Sequence, residues 1–433
     1  MSQFRFARIS LILAALGLNA VPTLLTSAHA QAAPPAAAAK SDSVRAEIFK
    51  LLDPAKVNPM LAAKQYAELR ANITASEAFA SLTPYEVYVI NRNKLALGHA
   101  TGNNPMAIAA LEQVISSGRL DAKEKLDFIE ALGGTYYNAK NFPKAIEMFK
   151  LHQKESGMPE KTRPVLTRIY IESEDFASAK VELENTIAAA DKAGTKPSMN
   201  DLHLLAASAD KLKDTALYAA TLDRLITLYP SEKYWNDALR RMTRKPGFAD
   251  RLRLDAYRLR MDTVKVMEET QYLDMAERAM QIAYFVEAKQ VMDAGFAAGK
   301  LGTGKDAAEH KQIQSKANKG AAEDTKTIDA SEAGAHKPKT GTPLVNLGYT
   351  YVTMGQFDKG IDLMNKGIAK GGLKNPEDAK LRLGVAYAKA GKKDEALKIF
   401  QTIKGTDGTA ELARYWTMHV NAPAVAAAPA PAK

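Results

Sequence analysis

The chain has 433 residues, 46% hydrophobic and 25% charged, with a net charge of +10. That is more than one ordinary domain needs and too apolar for global disorder, so two domains or one long repeat array are expected. No cysteine is present, which excludes disulfides, thiolate zinc sites, iron–sulfur clusters and a cysteine nucleophile. Aromatics make up only 7% while alanine is abundant, a balance that favours close-packed helices over β-sheets.

Residues 1–30 have the pattern of an export signal. Arg5 and Arg8 provide the positive start, Ile9 to Leu18 the apolar stretch, and Ala28-His29-Ala30 the small-x-small site, so cleavage after Ala30 is expected. The apolar run is too short to span a bilayer. Loss of the two arginines takes the net charge from +10 to +8. The mature protein is expected outside the cytoplasm, in the periplasm of a Gram-negative source. Residues 31–42 form an Ala/Pro tether, and 421–433 an Ala/Pro tail of the same character.

Between these ends the chain repeats itself. Leu132, Tyr136, Phe142, Ala145 and Phe149 return 34 residues later as Leu166, Tyr170, Phe176, Ala179 and Leu183. Leu347-Gly348, Tyr351, Gly355 and Met364 return 36 residues later as Leu383-Gly384, Tyr387, Gly391 and Phe400. A small residue after the leucine lets a second helix approach closely, and the aromatic four residues on lies one turn along the same face. Gly355 and Gly391 suit the left-handed ends of helices. Asn375-Pro376-Glu377-Asp378 reads as a helix start. One such helix pair cannot bury its apolar face alone, so neighbours must stack.

These segments resemble tetratricopeptide repeats, with weaker units around Ala107 and Leu111, before Pro230, and at Ala276, Phe285, Ala288 and Met292. The resemblance implies an all-α fold, a right-handed solenoid of antiparallel helix pairs, and a protein-binding scaffold in place of a catalyst. The expected layout is an N-terminal array over 43–301, a charged low-complexity segment over 302–342 that is either linker or helix, and a C-terminal repeat pair over 343–420. In the family, the first helix of each pair lines a groove. Carried over, the central pair presents Glu130, Tyr137, Lys161 and Arg168, and the C-terminal pair presents Val345, Tyr349, Val352, Leu381 and Val385. The second set either holds a peptide or is covered by the segment around Trp416.

Other chemistry is sparse. Gly299 to Lys305 has the glycines and lysine of a phosphate loop, but Asp306 stands where Ser or Thr belongs and no strand precedes it. The histidines show no metal-ligand spacing, and no G-x-S-x-G elbow occurs. No catalytic, cofactor-binding or metal-ligating residue is assigned. Lys233 to Arg260 holds nine Lys or Arg against three Asp. The alternative function is therefore an anion-binding surface at Arg240, Arg241, Arg244, Lys245, Arg251 and Arg253, for an envelope polymer such as cell wall, lipopolysaccharide or polysaccharide. Nucleic acid is not an expected partner of an exported protein.

Overall fold

The computed structural model describes residues 42–422. The expected signal peptide, and nearly all of the tether and tail, lie outside the described residues. Among those described there is no strand, and no helix is long and apolar enough to cross a membrane. The fold is all-α, with successive helices packed as hairpins.

The chain divides into two compact units. The first runs to Pro197 and also takes Ala207–Lys213; the second comprises Ser198–Ala206 and the chain from Asp214 onward. The division falls around the helix Met199–Lys211. The first unit contains α1 (Ala46–Leu52), α2 (Pro54–Ala62), α3 (Tyr66–Glu77), α4 (Pro84–Thr101), α5 (Asn104–Ser116), α6 (Ala122–Asn138), α7 (Phe142–Ser156), α8 (Arg163–Glu172) and α9 (Phe176–Lys192). Helix α10 (Met199–Lys211) is shared between the two. The second unit holds α11 (Thr215–Leu228), α12 (Glu232–Arg244), α13 (Arg253–Thr263), α14 (Glu269–Gln281), α15 (Phe285–Ala297) and α16 (Ala307–His336). It continues with α17 (Thr342–Thr353), α18 (Phe357–Lys370), α19 (Pro376–Lys389), α20 (Lys393–Thr402) and α21 (Thr409–Asn421).

The repeat residues do what their spacing predicts. Leu132, Tyr136, Ala145, Phe149, Leu166, Tyr170 and Ala179 share one buried core in the first unit. Its hairpins turn on a left-handed residue, Lys140 or Glu174, each at φ 60°. The next residue caps the following helix: Asn141 accepts from the Lys144 N–H, and Asp175 from the Ser178 N–H. In the second unit Gly355 and Gly391 occupy the same turn, at φ 79° and 74°. Asn375 stands at the start of α19, as the sequence suggests, but its side chain accepts no capping hydrogen bond.

Helices α17 and α18 cross at glycines. A Cβ on Gly348 would lie 2.5 Å from the Gly360 carbonyl, and one on Gly341 would clash with the Gly367 carbonyl. The order of these contacts makes the pair antiparallel. The charged segment that sequence leaves open as linker or helix is the 30-residue α16. A single stripe of His310, Ala317, Ala321, Ile328 and Ala335 is buried, with Ile313 partly buried beside it, and the rest of the helix is charged, polar or small. Small side chains let this polar helix lie close to its neighbours: Gly320 abuts the Phe285 ring. The phosphate-loop lookalike is a helix end and turn, with Gly299, Gly302 and Gly304 all left-handed.

Candidate functional site

The second unit is organised around charges that are out of water. On α13, Asp255 is 1% exposed and Arg258 2%. Arg258 donates to both oxygens of Glu287 on α15, each at 2.7 Å, and to Asp255. Its guanidinium lies 4.3 Å from the centre of the Tyr349 ring and 5.4 Å from that of Tyr284. Arg382 on α19 donates to both oxygens of Asp255 at 3.2 and 3.1 Å. Burial opposes the charge on Asp255, but Arg382 and Arg258 outweigh it and hold the carboxyl below its usual range. Burial likewise opposes the cation of Arg258, and Glu287 reverses the balance. Tyr349, stripped of water, is pushed well above the usual phenol range.

Arg382–Asp255 is the middle member of a series. Arg251 donates to both oxygens of Asp378 at 2.8 and 3.1 Å, and Lys389 bonds Asp262 at 3.2 Å. Every one of these pairs spans 127 positions. A constant offset that rises along both segments means that α13 and α19 face each other in parallel and in register. Steps of four and seven residues keep the charges on one helical face.

An open cleft lies on each side of this ionic centre. The first, of about 470 Å³, takes Leu254 from α13, Val345 and Asn346 from α17, and Asp378 and Arg382 from α19. The second, of about 710 Å³, takes Met261 and Asp262 from the far end of α13, Val352 and Thr353 from α17, and Lys389 from α19. The same helices thus line both mouths, with Asp255 between them and Arg258 and Tyr349 at the second. Both volumes suit part of a peptide or a small ligand. Both linings are mixed: Arg251, Arg278 and Lys374 stand with Leu373 and Ile282 at the first, and Arg258, Glu287 and Lys389 with Met275, Met354 and Phe357 at the second.

Of the predicted C-terminal groove residues, Val345 lines the first cleft and Tyr349 and Val352 the second, whereas Leu381 and Val385 line neither. Val345, Tyr349, Val352, Leu381 and Val385 are all at most 3% exposed. The first three pack into the core with Tyr272, Tyr284 and Met364. Their helices present apolar faces to neighbours, so these side chains are largely buried, and Val345, Tyr349 and Val352 form part of the cleft floors. The central set, in the first unit, stays at the surface. Tyr137 donates to Glu172 at 2.6 Å and also bonds Arg168. Glu130 is half-buried, and Lys161 is exposed on a short turn.

The basic stretch is mostly answered by carboxylates. Arg240 and Arg241 bond Asp237, and the Arg241 guanidinium stacks 3.7 Å from the Tyr218 ring centre. Lys245 pairs with Glu411, Arg251 with Asp378 and Asp407, and Arg253 with Asp250. Arg244 is exposed and has no ion pair among the described residues. An anion-binding face built from all six is therefore not what the fold presents. Sequence reading missed Asp255, Glu287, Asp262, Arg382 and Lys389. A signal was there: Arg251, Asp255 and Asp262 are matched by opposite charges at the same spacing in Asp378, Arg382 and Lys389.

Residues 345–411 match the family model for the tetratricopeptide repeat. The motifs at Leu347 and Leu383 fall inside this span; those at Leu132 and Leu166 lie outside it. No curated protein sequence matches the chain. Among solved structures, a tetratricopeptide repeat protein from Parabacteroides merdae is similar at 12% identity, over 78% of this chain and 98% of that one, with a TM-score of 0.28. The TPR2AB domain of yeast Sti1, solved with pHSP90, is similar at 12% identity over 69% and 99%, with a TM-score of 0.24. Yeast Tom70 is similar at 12% identity over 86% and 95%, with a TM-score of 0.22.

Proposed function

We infer that the chain is a non-catalytic interaction scaffold of the cell envelope, and that its second unit receives a segment of a protein partner. The observation that carries this reading is the pair of open clefts beside helices of the tetratricopeptide-matching segment. Helix hairpins of that family serve as binding surfaces, and clefts lined by side chains from several helices can hold an extended or helical segment. The envelope address is supported by the N-terminal arrangement of Arg5, Arg8, the apolar run and Ala28-His29-Ala30.

Site-specific photocrosslinking in living cells tests the scaffold reading. A photoreactive residue at Asn346 or Gln290, one at each cleft, is expected to yield a covalent adduct with another protein. The same residue at Lys319, on the outer surface of α16, is expected to yield none. Equal labelling at all three positions, or none at the clefts, overturns it. N-terminal sequencing of protein from the envelope fraction tests the address: Gln31 is the expected first residue, and an intact Met1 in cytosol overturns it.

A further inference from the structure

The turn from α16 into α17 and the end of α18 carry lysines and no acid. Residues 333–346 contain Lys337 and Lys339, and residues 363–376 contain Lys366, Lys370 and Lys374; neither stretch has an Asp, a Glu or an Arg. The fold brings the two stretches together. The Gly341 N–H donates to the Gly371 carbonyl at 2.8 Å, and a Cβ on Gly372 would touch Thr340 at 3.2 Å. Lys370 donates from Nζ to the His336 carbonyl at 2.7 Å, which leaves two of its three donors unused. All five lysines are exposed.

The carboxylates that border this place do not cancel the charge. Lys359 answers Asp329 and Glu332, Lys366 answers Asp362, and Lys380 answers Glu377. Lys337, Lys339, Lys370 and Lys374 have no ion pair among the described residues. Seven lysines thus stand against four acids, an excess of +3 in a chain whose net charge is +10. Of the four unpaired lysines, Lys374 alone also lines the first cleft, where Asp250 and Asp378 are held by arginines.

Backbone donors are left over as well. Gly371 and Gly372 are left-handed, at φ 76° and 65°. The N–H groups of Gly372, Leu373 and Lys374, and those of Lys339 and Thr340, reach no acceptor among the described residues. The side chains able to accept there, Thr340, Thr342 and Asn375, are neutral. None of the exposed large hydrophobic side chains of the described residues lies in either stretch.

We propose that this surface, where α17 begins and α18 ends, binds a phosphate-bearing polymer of the cell envelope, with phosphate groups on Lys337, Lys339, Lys370 and Lys374. Phosphate oxygens suit ammonium point charges and unbonded backbone N–H groups. Carboxylates are matched best by the planar fork of arginine, which both stretches lack. A narrow polymer can follow the turn and reach its N–H groups, whereas a flat bilayer face cannot, and no large apolar side chain stands there to enter one. The surface is distinct from the body of both clefts, so the proposal goes beyond the scaffold reading and does not depend on it.

The test is fluorescence anisotropy of end-labelled, long-chain polyphosphate titrated with the full chain. Binding is expected, and it is expected to weaken as salt screens it. The double variant Lys337→Glu, Lys339→Glu breaks no ion pair and lines neither cleft; it is expected to cost at least about tenfold. Lys305→Glu, Lys311→Glu makes the same change of net charge elsewhere on the second unit and is expected to bind nearly as wild type does. Unchanged circular dichroism will show that both variants fold. Equal losses in the two variants would mean that net charge alone is read, which overturns the site. Equal affinity for polyglutamate of matched length overturns the choice of phosphate. Sedimentation with phosphatidylglycerol vesicles, without binding to polyphosphate, overturns the choice of a polymer. If polyphosphate is not bound at all, the proposal falls, while the scaffold reading is still judged by its own photocrosslinks.

Discussion

Arg382 donates from Nε and Nη2 to the two oxygens of Asp255, across 127 positions of sequence, and Asp255 is 1% exposed. The pair joins α13 to α19 through a carboxylate that also serves Arg258. A buried ion pair adds little net stability over apolar packing, but removing one partner strands the other. Asp255→Asn strips the buried Arg382 guanidinium of its carboxylate and leaves Arg258 with Glu287 alone, and the expected cost is about 3 kcal/mol. Arg382→Met leaves Asp255 its bond to Arg258, so the cost is expected to be smaller. Both tryptophans, Trp235 and Trp416, lie in this unit, so urea unfolding followed by tryptophan fluorescence reads it directly. Equal midpoints for wild type and Asp255→Asn would remove the ionic centre from the list of what holds the unit together.

The first unit has its own charge dependence. Arg45 bonds both oxygens of Glu86, and Thr83 and Glu86 form a reciprocal cap at the start of α4. The Arg45 hydrogen bonds, together with the cap, hold the Glu86 carboxyl down at about 2 from an ordinary value of 4.5. A depressed carboxyl contributes stability that is complete above its unfolded value and fades as pH falls toward the folded one. Between about pH 5 and about pH 2, wild type is expected to lose this contribution. Glu86→Gln keeps the cap's shape and loses the ion pair. It is expected to be less stable than wild type at neutral pH and to converge on it in acid, as read by hydrogen exchange of α4. A constant gap at every pH would mean that another group is titrating.

The parts of the fold that were legible in sequence share a physical cause: local periodicity. Leu132 and Leu166, or Leu347 and Leu383, announce hairpins because each repeat must bury the same face. For the C-terminal groove, periodicity says which face is apolar, not what covers it; Tyr349 and Val352 pack into the unit's own core and also line the second cleft. The ionic centre depends on pairs 127 residues apart, beyond the reach of any local pattern. The turns were half legible. Gly355 and Gly391 are visible as helix ends, whereas Lys140 and Glu174 adopt the same left-handed conformation with nothing in their chemistry to signal it.

That last pair yields a prediction. A non-glycine residue in the left-handed region carries about 1 kcal/mol of strain. Glycine removes the strain, while its greater freedom in the unfolded chain offsets part of the gain. Glu174, at φ 60° and exposed, makes no ion pair among the described residues. Glu174→Gly is expected to raise stability by about 0.5 kcal/mol. Thermal unfolding monitored by circular dichroism will check the sign, and a lower midpoint would mean that the side chain has a role the turn geometry does not reveal.

Three glycines of the second unit separate three effects that one substitution type usually confounds. Gly334 lies inside α16 with open space around the position of a Cβ. Alanine there adds helix propensity and restricts the unfolded chain, so Gly334→Ala is expected to stabilise by about 0.5–1 kcal/mol. Gly355 also has open space, but at φ 79°. Gly355→Ala is expected to destabilise by about 1 kcal/mol through backbone strain alone. Gly348 has helical backbone and no space: a Cβ would meet the Gly360 carbonyl at 2.5 Å and Met364 at 2.7 Å. Met364 can swing aside, but the carbonyl belongs to α18 and can yield only if the two helices separate. Gly348→Ala is therefore expected to cost about 3 kcal/mol, the upper end for an overpacked core. Denaturant midpoints in the order Gly334→Ala, wild type, Gly355→Ala, Gly348→Ala test all three together. Were Gly348→Ala to fall beside Gly355→Ala, α17 and α18 would have to cross more loosely than their paired glycines indicate.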